Sequence, residues 1–301
     1  VRSRRQRQMC IRDRFGSELT SKNSFIDILF LSRNRGPDMK GYYRNKNIQF
    51  GFNRLSILDI TQNGNQPIES PSGRYVIVCN GEILNYKKLV RLLNIKKKSL
   101  RSGVDIEVVG HALDFWGFKK TLKNLVGMFA LAVFDKHEKK LFLARDAAGI
   151  KPLYCASTNN GFIFASQYDQ IFKHPWFKDK KEININAISD YLKLGYIPSS
   201  SALFNNSWLV GPGEYYCINI NSKFEIFKYF NFNETDEYGE LEITSELKLN
   251  NIFNKIMPDY INSDVPVGTF LSGGIDSPLI NSIISEETKD LSAYTISSTH
   301  S

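Results

Sequence analysis

Gly127-Met-Phe-Ala-Leu-Ala-Val-Phe-Asp135, followed shortly by Lys140-Leu-Phe-Leu-Ala-Arg-Asp146, is the stretch on which the fold turns. Two runs this apolar, separated only by Lys136-His-Glu-Lys139, read as a hairpin buried inside a layered sheet. Outward from it, Ile48–Phe52, Tyr75–Cys79 and Phe162–Ala165 have the same alternating or continuous apolar character. Asp105–Phe115 instead has helical spacing, with Ile106, Val109, Leu113 and Trp116 on one side. The expectation is an α+β fold: a β-rich sandwich of sheets with helices on its faces.

Further along, Ala187–Leu194 reads as a short helix, and residues 195–213 as a Ser-, Asn-, Gly- and Pro-rich connection. Glu214–Phe230 suggests two strands, and the acidic stretch Asn233–Glu242 a linker. Ser245–Met257 is expected to be a helix stopping before Pro258. The strand Val265–Phe270, a glycine loop, the helix Pro278–Ser285 and the strand Leu291–Ile296 then read as the start of a parallel α/β sheet. One such unit cannot bury both faces of its sheet, so the second domain is expected to be cut short.

Composition narrows the class. The 301 residues are 42% hydrophobic and 23% charged, ordinary for a soluble globular protein. No apolar run reaches the roughly 18 residues of a membrane span. The net charge is +8, but six arginines against Asp13 put +5 of it in residues 1–14. The remaining +3 is an ordinary surface charge, and no aromatic residue interleaves the basic ones, so no nucleic-acid partner is expected. Lysine dominates from residue 15 onward, and no arginine follows Arg145. Residues 1–14 therefore read as a foreign leader. Cys10, Cys79, Cys155 and Cys217 are far apart, with no CxxC pair. That argues against disulfides or zinc and for a reducing cytoplasm.

Leu271-Ser-Gly-Gly-Ile-Asp-Ser277 carries the first chemistry. Paired glycines let backbone approach a phosphate, and the following helix turns its N–H groups toward the anion. The loop lacks the Walker lysine. It resembles the pyrophosphate loop of ATP pyrophosphatases, which implies ATP contacts from Leu271, Ser272, Gly273, Gly274, Asp276, Ser277 and Ile296. Magnesium would be the accompanying ion, with Asp276 as its one candidate ligand, and no redox cofactor is expected. The segment from Asp264 to Ser277 resembles the asparagine synthetase family in particular, although Pro278 stands where that family usually has serine.

Arg33-Asn-Arg-Gly-Pro-Asp38, Arg54-Leu-Ser-Ile-Leu-Asp59, Asn80-Gly-Glu82, Asp105-Ile-Glu107 and Arg145-Asp-Ala-Ala-Gly-Ile-Lys-Pro-Leu-Tyr154 come in one order. That order and spacing resemble the glutamine-hydrolysing asparagine synthetases, whose first domain is an N-terminal-nucleophile amidotransferase. The resemblance covers nearly the whole chain after residue 14. Asn34 replaces a family histidine, and Phe52-Asn53 replaces a more polar pair. Taken singly, Asn80-Gly81 reads as a hairpin turn, and Arg54 or Asp105 as surface charges.

By resemblance, Arg54 and the backbone of Leu55, Ser56, Ile57 and Leu58 hold the α-carboxylate of glutamine. A planar guanidinium suits that task. Asp105, with Glu82 and Gly81, meets the α-ammonium, while the Asn80 amide and the Gly81 N–H hold the oxyanion. The family's nucleophile is an N-terminal cysteine whose own α-amine is the base. Cys10 is the candidate, and while residues 1–9 remain attached its hydrolysis of glutamine is expected to be silent. Cys79, Cys155 and Cys217 read as buried strand residues.

The division expected is a leader at 1–14, a glutaminase domain at 15–195, connecting strands and linker at 196–240, and part of an ATP-using synthetase domain at 241–301. The implied reaction transfers ammonia from glutamine to an aspartate activated by ATP as β-aspartyl-AMP, in a cytoplasmic homodimer. This chain alone is expected to make no asparagine. Two alternatives are a β-lactam-synthetase-like adenylating enzyme with a non-hydrolysing first domain, and an inert fragment or binding module.

Overall fold

The computed structural model describes residues 19–178, 181–198, 200–221, 223–231, 246–288 and 291–297. The chain divides near residue 232 into a large unit and a smaller one.

In the large unit the opening hairpin forms as the apolar runs dictate. β5 (Gly127–Asp135) pairs antiparallel with β6 (Lys140–Arg145), and on its other edge with β4 (Tyr75–Ile83). Strands β3 (Ile68–Glu69), β10 (Glu214–Ile218) and β11 (Phe224–Lys228) complete a six-stranded sheet in the order β11-β10-β6-β5-β4-β3. A three-stranded sheet is ordered β8-β7-β9, from β7 (Tyr154–Thr158), β8 (Gly161–Ala165) and β9 (Ser207–Leu209). β1 (Met39–Arg44) and β2 (Gln49–Arg54) form a separate antiparallel hairpin. Ile77 of β4 lies 3.4 Å from where a Cβ would stand on Gly110, so one face of β4 packs on a helix, α3 (Asp105–Asn124). Alternation sends Val76, Val78, Asn80 and Glu82 to the other face. One buried cluster joins β2, β4, β5, β6, β8, β10 and α3, with Phe50 meeting Phe164 edge-on. This is an α+β sandwich of sheets with flanking helices.

Around this core lie α1 (Lys22–Phe30), α2 (Tyr86–Leu92), α4 (Tyr168–Phe172) and α5 (Ile185–Leu194). Several expectations need adjustment. α3 runs past the expected residue 115 in two segments: Gly117, at φ +72°, kinks it, and a second helical segment continues to Asn124. Asn80-Gly81 is not a turn but lies inside β4, opposite Ala130 and Phe129. Of the strands expected in the connecting region, β10 pairs with β6 inside the large sheet, where Tyr215, Tyr216 and Ile218 are buried, and β11 forms its edge.

The small unit contains α6 (Glu246–Ile261), β12 (Gly268–Phe270), α7 (Asp276–Glu287) and β13 (Ser292–Tyr294), with β12 and β13 parallel. α6 does not stop before Pro258. Burying Met257 with Ile261, Ile283 and Ile284 outweighs the one helical hydrogen bond that proline removes. β12 is shorter than expected; Pro266 has no N–H to give a ladder. Cys10, the leader and the acidic linker lie outside the described residues.

Candidate functional site

Arg54 ends β2 and is 1% exposed, in spite of its charge. Its Nη1 donates to Thr61 O at 2.7 Å, and its Nη2 to Leu58 O at 2.9 Å and also to Asp59 O. The guanidinium thus folds the loop after it around itself and frames that loop. Burying a cation is tolerable here because carbonyl oxygens replace its water. Neighbouring groups brace the same loop. Gly36 fits tightly against the Asn53 carbonyl, since an added Cβ would come within 2.2 Å of that oxygen. Two residues on, the Asp38 carboxylate accepts from the Ser56 N–H at 2.8 Å. The Asn53 amide donates to Leu29 O and Ser32 Oγ, which anchors β2 beneath α1. Leu55, Ile57 and Leu58 are buried, as is Ser56, whose hydroxyl has no hydrogen-bond partner among the described residues.

Asn80 is fully buried on the β4 face opposite α3, and its amide meets Ser166 Oγ at 3.0 Å. Gly81 has φ +130°, and a Cβ there would stand 1.8 Å from Met128 O, so no other residue fits. Asp105 begins α3, and its Oδ2 accepts from the Ile83 N–H at 2.7 Å. The carboxylate therefore hangs over the end of β4, just past Asn80-Gly81-Glu82. Gly64 bridges the remaining gap: a Cβ on it would meet the Arg54 guanidinium and the Val104 side chain together. Arg54, Asp105 and the Asn80-Gly81 strand accordingly share one neighbourhood rather than separate surfaces.

Two carboxylates hold the approach to α3. Asp59 accepts from the Thr61 N–H and, across the loops, from the Gly103 N–H. Glu107 accepts from the N–H groups of Arg101 and Ser102 and from the Ser102 hydroxyl. Burial by itself would raise both; the hydrogen bonds prevail and hold both below the usual carboxylate range.

The Arg145-Asp146 pair is a second brace. Arg145 donates to Lys151 O and Val210 O, and Asp146 accepts from the N–H groups of Phe129, Ile150 and Lys151. Lys151 is 5% exposed. Burial pushes its ammonium below the ordinary lysine range, against the pull of Glu82. Cys79 and Cys155 are buried, as expected of strand residues, while Cys217 is half-buried.

In the small unit, the loop between β12 and α7 is closed by serines. Ser277 Oγ accepts from the Ser272 N–H at 2.8 Å, and the two hydroxyls lie 2.7 Å apart. A Cβ on Gly273 would meet nothing within 4 Å, so the loop backbone is open to an incoming group. Asp276 and Pro278 sit in the first turn of α7, Leu271 N–H is bonded to Tyr294 O, and Ile296 is 91% exposed. No group of three metal-ligating side chains occurs among the described residues.

Asp38, Asp59 and Lys151 stood within the quoted motifs, yet spacing alone assigned them no role. Ser166 carried no signal, because a serine after an apolar strand is unremarkable until its partner is known.

Residues 9–230 match the family described as "Glutamine amidotransferase domain", and residues 249–301 match "Asparagine synthase". Asparagine synthetase [glutamine-hydrolyzing] 1 of Bacillus subtilis is 33% identical over 87% of this chain and 40% of its own length. Putative asparagine synthetase [glutamine-hydrolyzing] 2 of Methanocaldococcus jannaschii is also 33% identical, over 93% of this chain and 56% of its own. The chain thus spans about half the length of these relatives. Among solved structures, glutamine phosphoribosylpyrophosphate amidotransferase from B. subtilis aligns with a TM-score of 0.45 and 18% identity, over 85% of this chain and 53% of that one.

Proposed function

The chain belongs to the glutamine amidotransferase domain family, here followed by an asparagine synthase match, and on that premise we propose that it hydrolyses glutamine to supply ammonia for asparagine synthesis. The observation that carries the proposal is the Asp105–Ile83 hydrogen bond, which brings a carboxylate over the strand end that holds Asn80 and Gly81.

In this reading Asp105 and Glu82 meet the α-ammonium of glutamine. The loop Leu55–Leu58 meets its α-carboxylate, with Arg54 supplying charge and rigidity behind it. The thiol of an N-terminal cysteine, Cys10 by position, adds to the side-chain amide carbon while its proton passes to the α-amine. The Asn80 amide and Gly81 N–H stabilise the oxyanion. Collapse expels ammonia, which carries away that proton, and water then splits the thioester to glutamate. Among the described residues Ser56 Oγ and one end of the Asn80 amide have no hydrogen-bond partner, which supports a polar ligand there.

Ammonia would attack β-aspartyl-AMP, formed from aspartate and ATP with release of pyrophosphate; AMP then leaves. The open Ser272–Ser277 loop supports phosphate binding. One carboxylate, Asp276, fits a magnesium ion held chiefly by phosphate oxygens, not an all-protein cage. No helix among the described residues is long and apolar enough to cross a membrane.

The test compares glutamate release by the full chain and by a chain beginning at Cys10. The shortened chain is expected to turn over, and Asn80→Ala to lower its kcat by roughly 10²–10³-fold, as for loss of one oxyanion donor. A shortened chain that releases no glutamate counts against the glutaminase and favours the non-hydrolysing alternatives.

A further inference from the structure

The Asn80–Ser166 contact joins residues 86 apart in sequence, and both side chains are buried. It is the single hydrogen bond made by either side chain among the described residues. With the amide placed so that Nδ2 donates to Ser166, the buried Oδ1 has no partner. The Ser166 hydroxyl proton then has no acceptor either. An oxygen left facing the reaction space would repel a developing oxyanion.

The two amide orientations occupy the same volume, and a hydroxyl can donate or accept. Rotating the amide by half a turn pairs the Ser166 O–H with Oδ1. It leaves Nδ2, a donor, as the free end. We infer that Ser166 is a positioning residue: its hydroxyl donates to Asn80 Oδ1 and so aims the amide N–H at the oxygen of the substrate. This rests on the glutaminase reading for its purpose but not for its geometry. The purely structural alternative is a polar pin between two sheets, with the amide donating.

The placement explains why a serine suits this position. Ser166 directly follows β8, and Asn80 lies on the face of β4 turned away from α3. A hydroxyl reaches across from one sheet to the other without a charge, and it demands nothing from the free end of the amide. Alanine would fill the space but allow both orientations.

The experiment has two arms. In the first, the ligand-free full chain carries ¹³C/¹⁵N-labelled asparagine, with the Asn80 signals identified by their loss in Asn80→Ala. Ser166→Ala is expected to move the Asn80 ¹³Cγ resonance upfield and to leave its amide protons nearly in place. An unmoved ¹³Cγ, or a shift confined to the amide protons, overturns the inference. In the second arm, the chain beginning at Cys10 is assayed. Ser166→Ala is expected to lose about 10–100-fold in kcat, a part of the full value of an oxyanion donor, with KM nearly unchanged. Ser166→Thr is expected to recover most of it, and Asn80→Ala to cost much less in the Ser166→Ala background than alone. Equal losses from Asn80→Ala in both backgrounds also overturn it. If the shortened chain with Ser166 intact releases no glutamate, the glutaminase reading fails, and the spectroscopic arm still decides the orientation.

Discussion

The Asp59 carboxylate accepts a hydrogen bond from the Gly103 N–H at 2.9 Å, so one side chain ties the loop after Arg54 to the loop before Asp105. This hydrogen bond helps to space the two elements proposed to hold opposite ends of glutamine. Asp59 takes φ +47°, an unusual conformation for a residue with a side chain, and its own hydrogen bonds to Thr61 hold it there. Asp59→Asn keeps the size but weakens the charge-assisted bonds, each worth about 1.5–3 kcal/mol. The expected result is a rise of about tenfold in KM for glutamine, with kcat within about twofold, measured as glutamate release by the chain starting at Cys10. A fall in kcat at constant KM would contradict a spacing role.

Acid should loosen the same region. Asp59 and Glu107 are both held below their ordinary values, because hydrogen bonds outweigh burial. In the unfolded chain they titrate near the usual ~4, so below that the unfolded state binds more protons than the folded one. Their contribution is thus complete above the ordinary carboxylate range and is lost as pH falls through the lower folded values. The urea midpoint, followed from neutral pH downward, is expected to hold steady and then drop below about pH 4. Asp59→Asn and Glu107→Gln should each show a shallower drop. Unchanged acid slopes in both variants would rule out these two carboxylates as its source.

Arg54 should matter to folding as well as to substrate. Its fork serves carbonyls of Leu58, Asp59 and Thr61 from inside the protein. A lysine there is one point charge with no planar fork. Leaving one or two buried carbonyls unpaired costs about 1–3 kcal/mol each. Arg54→Lys is accordingly expected to lower the stability measured by urea unfolding by about 2–4 kcal/mol, in addition to raising KM for glutamine. A variant that is fully stable yet has a raised KM would make Arg54 a ligand alone.

Much of this architecture was legible because burial imprints the sequence directly. The runs Gly127–Asp135 and Lys140–Arg145 are apolar at nearly every position, since their sheet is covered on both faces. The helix at Asp105 was legible from its 3.6-residue spacing. Taken alone, Asn80-Gly81 reads as a turn for a local reason: the same pair serves tight hairpins, and nothing nearby reveals that Met128 O lies against Gly81. The extent of α6 depended on tertiary packing around Met257 that no local rule about proline includes. The joint order of motifs named the candidate site residues, but the supports contributed by Ser166 and Asp59 are long-range pairings with no periodic signature.

Gly81 is where backbone geometry constrains the site most sharply. Its φ of +130° is open to glycine, and an added Cβ would stand 1.8 Å from the carbonyl oxygen of Met128 on the neighbouring strand. Because the atom met is backbone, relief requires parting β4 from β5 at the center of the sheet, between the Asn80–Ala130 and Glu82–Met128 pairs. The same displacement would move the Gly81 N–H that is proposed to face the oxyanion, and with it the Ile83 N–H that Asp105 holds. Gly81→Ala is expected to lower stability by more than about 3 kcal/mol, the range reached by overpacking and backbone strain together. Any folded fraction should show glutaminase kcat reduced at least as far as in Asn80→Ala. A Gly81→Ala chain with an unchanged urea midpoint would mean that the strands separate at little cost, and the oxyanion site could not then be as rigid as its proposed chemistry requires.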